Sequence, residues 1–187
     1  MSHIPNQIHQ TWNSALLPEQ GGTLHAAFHV ATDGMLLEAR NAERVALAVT
    51  VSRGSLVVEA PEDHIVLDVE DTYGVQFGGV HDLHITFGDF GTRIYLDGYQ
   101  AFACATNICP SKYAQTGVFH CANEAHIGVE RLECFPEAWT SERIQGSVPV
   151  PQPDIEFAAA YLADKDVKTL HGVTDGTIYA QFRVRDR

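Results

Sequence analysis

VHDLHITFGDFGTRIYLDGYQ, residues 80–100, sets two alternating apolar/polar runs on either side of Gly88-Asp89-Phe90-Gly91. Alternation is the period of a half-buried strand and the glycine-bounded centre is turn chemistry, so the stretch predicts a β-hairpin with a four-residue loop. If Phe87 pairs with Thr92, then Ile85 faces Ile94 and Leu83 faces Leu96 on a core side. Thr86/Arg93, His84/Tyr95 and Asp82/Asp97 then share the other side. Asp97-Gly98 closes the second run with residues suited to positive φ.

The same pattern recurs on both sides of the hairpin, and helical periodicity is nearly absent. Thr23 to Val30 places Leu24, Ala26, Phe28 and Val30 inward and Thr23, His25, Ala27 and His29 outward. Val45 to Val51 puts Val45, Leu47, Val49 and Val51 on one face, and Ser52-Arg53-Gly54-Ser55 turns the chain into Leu56 to Glu59. Short strands are expected at His64–Val69, Gly74–Phe77, Gly117–Phe119, His126–Val129 and Arg131–Phe135, with one helical turn capped near Thr140. Many short alternating strands make an all-β, antiparallel two-sheet sandwich.

Pro149-Val150-Pro151-Gln152-Pro153 cannot donate to a sheet interior and reads as an extended linker, which divides the chain into 1–150 and 151–187. Laid without gaps, ALLPEQGGTLHAAFHV (15–30) and TLHGVTDGTIYAQFRV (169–184) share Leu, Gly, Thr, Ala, Phe and Val. Either the last segment closes the sandwich beside the first strand, or it opens a second, truncated repeat. The proline linker favours the repeat.

Composition excludes several partners. With 12 Lys+Arg against 24 Asp+Glu the net charge is −12, and protonating every histidine would still leave it negative. Nucleic acid and anionic membrane both need a basic footprint. The longest apolar run, Phe157 to Ala163, is far shorter than the ~20 residues of a spanning helix. Residues 1–20 carry no Lys or Arg and no apolar core, so no secretory leader is expected and a cytoplasmic location with reduced thiols follows. Cys104, Cys109, Cys121 and Cys134 lack paired C-x2-C spacing. In an exported chain, Cys104–Cys109 would be the expected bridge.

The hairpin residues His81-Asp82-Leu83-His84-Ile85-Thr86-Phe87 and Arg93-Ile94-Tyr95-Leu96-Asp97-Gly98 resemble the laminin-G-like, concanavalin A-like lectin/glucanase jelly rolls. His126-Ile127-Gly128 and Phe135-Pro136-Glu137-Ala138-Trp139-Thr140-Ser141-Glu142-Arg143-Ile144 are similar to the family's last strand and terminal helix. Gly176 to Phe182 resembles the opening strand of the module found beside bacterial sialidase and fructan-hydrolase catalytic domains. The resemblance implies a non-catalytic carbohydrate-binding or accessory module of a glycoside hydrolase, with a carbohydrate and a parent catalytic domain as partners. The alternative is a structural or protein-interaction jelly roll without a sugar site, which could pair into a homodimer through the C-terminal strand. Calcium often sits at the rim of such sandwiches; Asp68, Glu70 and Asp71 are candidate oxygen ligands without a recognisable calcium loop.

No catalytic constellation is evident. Glycoside hydrolysis needs two carboxylates at a fixed separation; the glucanase Glu-x-Asp-x-x-Glu pattern is absent, and Asp68-x-Glu70 lacks a third member. His81 and His84 point to opposite strand faces. His25 and His29 lie about 13 Å apart along a strand at ~3.3 Å per residue, too far to share a small ion. The outer side of the hairpin remains: Asp82, His84, Arg93 and Tyr95 combine an aromatic ring with planar polar groups suited to sugar hydroxyls and carboxylates. The same strip also reads as an ordinary solvated sheet face.

Overall fold

The computed structural model describes residues 10–148 apart from 43, 54, 62 and 69–79. Eleven strands are present among the described residues: β1 (Gln10–Asn13), β2 (Gly21–Val30), β3 (Gly34–Arg40), β4 (Val45–Ser52), β5 (Ser55–Ala60), β6 (Asp63–Asp68), β7 (Val80–Gly88), β8 (Gly91–Leu96), β9 (Tyr99–Cys104), β10 (Thr116–Cys121) and β11 (Ile127–Phe135). Two short helices, α1 (Pro110–Tyr113) and α2 (Ser141–Ser147), complete them. The strands form two antiparallel sheets, ordered β1-β10-β3-β4-β5-β6 and β11-β2-β7-β8-β9. This is the expected two-sheet sandwich with a short helix after the last strand. The expected strand at Gly74–Phe77, the linker, the 154–187 repeat, and Glu70 and Asp71 lie outside the described residues.

The decisive hairpin has the expected register: Phe87 pairs with Thr92, Ile85 with Ile94 and Leu83 with Leu96. Its loop is shorter than expected, because Gly88 pairs with Gly91 and leaves Asp89-Phe90 as a two-residue turn. Gly91 permits this at φ +93°, where a Cβ would overlap the Cys104 carbonyl oxygen. Gly91→Ala should therefore lower stability by about 2 kcal/mol, seen as a lower urea midpoint at unchanged slope. Asp97 (φ 49°) and Gly98 (φ 82°) form the next turn, and Leu96 pairs with Tyr99 across it, so the chain continues directly into β9.

Inward residues from both sheets meet in one core. Leu24, Ala26, Phe28, Leu83, Ile85, Phe87, Ile94 and Leu96 come from the five-stranded sheet, and Trp12, Leu37, Leu47, Val49, Leu56, Val58 and Phe119 from the six-stranded one. β3 was not anticipated because its alternation is broken. The β3–β4 register shifts between Met35 and Leu37, and the extra residue leaves adjacent Leu36 and Leu37 both fully buried. Conversely, the two strands expected around residue 130 are one strand, β11, with an irregularity between Val129 and Arg131.

Candidate functional site

Register carries the outer residues of the five-stranded sheet into rows. Glu133 pairs with His25, His25 with His84 and His84 with Tyr95, so one row crosses β11, β2, β7 and β8. The neighbouring row runs Phe135, Thr23, Thr86, Arg93. Asp82 stands opposite Ala27, one pleat from His25.

The chain leaving β11 folds back over these rows. The Thr23 hydroxyl donates to the Glu137 carbonyl at 2.8 Å and accepts the Trp139 N–H at 2.9 Å. Thr140 caps α2 through the Arg143 N–H, Tyr95 Oη lies 3.0 Å from Ser141 Oγ, and Ile144 is fully buried. The hairpin strip expected to be open is consequently closed: His84 is 0% exposed, Tyr95 1% and Asp82 8%. Of the four candidate ligand residues, Arg93 alone is exposed. Antiparallel sheets commonly wet one face, but here residues 136–148 add a third layer.

Beside His84 lies a charge cluster. His25 Nε2 is 2.7 Å from Asp82 Oδ1 and His25 Nδ1 is 3.3 Å from Glu133 Oε2; both hydrogen bonds form together only with the doubly protonated ring. Arg131 reaches the same oxygens, at 3.5 Å from Asp82 and 3.7 Å from Glu133. The His25 hydrogen bond holds the Asp82 carboxyl below the usual carboxylate range, outweighing desolvation.

His84 is the odd member. Its ring stacks on His25 with centroids 4.1 Å apart and planes 6° from parallel. Burial first, then the charge of His25, pushes it down from 6.5 to about 4, with Asp82 pulling the other way. Ser147 donates its hydroxyl proton to the Ile144 carbonyl at 2.8 Å, so its oxygen accepts from His84 Nε2–H at 3.4 Å and His84 Nδ1 has no partner. This arrangement keeps His84 neutral. Because the Ser147 proton is committed to a carbonyl, the pair is not arranged as a nucleophile and base.

His81 and His84 do point apart: His81 Nδ1 bonds Asp97 Oδ2 at 2.9 Å and its ring lies 5.6 Å from Phe28. Arg93 stands 4.6 Å over the Phe90 ring, and Arg143 4.2 Å over Trp139 while also paired with Glu137. The four thiols are free; Cys104 donates to the Thr106 carbonyl and Cys109 to that of Leu17 rather than bridging. Burial pushes the Cys109 and Cys121 thiols up to about 11 and Cys134 to about 12. Among the described residues, no group of three or more His, Cys, Asp or Glu is arranged to hold a metal ion, and no helix is long and apolar enough to cross a membrane.

The partnership of His25, Arg131 and Glu133 with the hairpin was not found from sequence. Only the outward position of His25 was read from the sequence, and the cluster depends on long-range pairing of β11, β2 and β7.

No known family profile matches the sequence, and no curated protein matches it. Solved structures do. NanB, solved with Optactamide, superposes with a TM-score of 0.58 at 11% identity, over 80% of this chain and 28% of that one. Trypanosoma rangeli sialidase in complex with 2,3-difluoro-KDN gives 0.50 at 13% identity, over 68% and 22%. A mutant of the same sialidase displaying trans-sialidase activity gives 0.50 at 12% identity, over 77% and 27%. This chain thus spans between 22% and 28% of the length of these three proteins. At such identities the likeness establishes a shared β-sandwich fold.

Proposed function

We propose that the chain is a non-catalytic carbohydrate-binding or accessory module of a larger glycoside hydrolase of the sialidase type, with a laminin-G-like, concanavalin A-like jelly-roll ancestry. The observation carrying this reading is that the sandwich is matched within the much longer chains of NanB and T. rangeli sialidase. The open part of the hairpin supports it. Among the described residues Arg93 has no carboxylate partner, and it stands over Phe90, which is 41% exposed; a guanidinium beside an aromatic ring suits a carboxylate-bearing sugar.

Thermal-shift titration against sialosides, fructans and glucans, with and without calcium, tests the proposal. A saturable rise in melting temperature with one sugar class is expected. Arg93→Ala should weaken that binding by roughly tenfold or more, as loss of a charge-assisted pair does, without lowering the ligand-free melting temperature.

A second reading, a packing module without a sugar site, is favoured by the outer side of the six-stranded sheet. Met35, Thr50, Val57 and Val66 line up there across β3 to β6, with Met35 43% and Val66 53% exposed. No shift with any sugar, together with self-association in light scattering, would favour this reading.

A further inference from the structure

We propose that residues Pro136 to Val148 form a proton-released latch, which lifts from the five-stranded sheet when His84 is protonated. The inference rests on the geometry beneath the segment and is independent of whether a sugar binds.

A proton arriving at closed His84 has nowhere favourable to sit. Nδ1 has no acceptor within reach, so the new N–H would be a buried, unsatisfied donor. The parallel ring 4.1 Å away is His25, whose nitrogens both face carboxylates. The groups around the pair come from every strand packed against it: His25 on β2, Asp82 on β7, Tyr95 on β8, and Arg131 and Glu133 on β11. Burial, the His25 ring and Arg131 all oppose a charge on His84 and only Asp82 favours it, so a charged His84 is a poorly compensated cation at a fully buried position. On the latch, Glu137 and Arg143 pair with each other and Glu142 is exposed.

The segment is also the layer able to yield. The six- and five-stranded sheets share an apolar core, whereas the latch meets the polar Thr23, His84 and Tyr95 besides burying Ile144 and setting Trp139 on Phe135. Trp139 Nε1 on the latch and His84 Nδ1 beneath it are both buried without hydrogen-bond partners, which weakens the contact. Opening gives His84 water and separates its new charge from the dry interface, at the loss of the Thr23 and Tyr95 hydrogen bonds.

Hydrogen exchange of the intact chain between pH 7 and 4.5, corrected for the intrinsic pH dependence, reads the latch directly. The Ile144 and Val148 amides, bonded to the Thr140 and Ile144 carbonyls, should lose protection about 50-fold, the ratio set by a group that titrates at 6.5 when open and about 4 when closed. Amides of β4, central in its sheet, exchange through global unfolding and should stay more protected than those of α2 at both pH values. His84→Phe, or His84→Gln should the first variant fold poorly, should abolish the acid-induced loss at α2. Undiminished protection at α2 on acidification, protection there equal to that of β4 at both pH values, or an unchanged loss in both variants would overturn the proposal.

Discussion

Asp82→Ala should lower the unfolding free energy at pH 7 by about 2–3 kcal/mol, because it removes the acceptor of a buried hydrogen bond and strands the His25 donor. Asp82 is 8% exposed and His25 3%, and the 2.7 Å bond between them is the shortest in the cluster. Without the carboxylate, His25 retains Glu133 at 3.3 Å, a partner that is half in solvent, and Arg131 loses its nearer anion. Asp82→Asn separates charge from shape: its amide oxygen can still accept from His25, so a loss of roughly 1–2 kcal/mol is expected. Urea unfolding followed by circular dichroism distinguishes the two. Equal small losses for both variants would mean that solvent screens the pair and that the cluster contributes little to stability.

The fold was legible where the pattern is local and uninterrupted. Residues 80–100 carry two alternations that agree on one register, and that register is observed pair for pair from Leu83 to Thr92. Legibility failed in two physically distinct ways. Bulges defeat period-two reading: the extra residue at Leu36 hid β3, and the irregularity near Glu130 split β11 in two. Burial of the hairpin's outer side failed for a different reason. Alternation shows that Asp82, His84 and Tyr95 share a face but not whether that face meets water, which depends on where residues 136–148 return. The same long-range pairing placed His25 against Asp82 and His84, a juxtaposition that spacing along a single strand does not reveal.

Acidification from pH 6.5 to about 4 should weaken the chain by as much as ~3 kcal/mol through His84 alone, at about 1.4 kcal/mol for each pH unit between its two titrations. In the unfolded chain the imidazole takes a proton near 6.5; in the closed fold it does so only near 4. Between those values the unfolded state binds more protons, so stability falls as pH falls, and above 6.5 the group is neutral in both states and has no effect. Asp82 acts lower on the scale. Its folded carboxyl titrates below the 3.8 of the free group, so its stabilisation is present above 3.8 and is lost as pH falls further. His84→Phe should therefore flatten the profile between 6.5 and 4 while leaving the loss below it, as urea midpoints across that range would show. Parallel profiles for the two proteins would sink the assignment to His84. The size of the wild-type loss also carries information about the latch. If the segment opens before the sandwich unfolds, the folded state acquires its proton in the open form, and the global loss stops short of ~3 kcal/mol. The loss at that plateau then equals the free energy of opening, which protection of the Ile144 and Val148 amides measures independently.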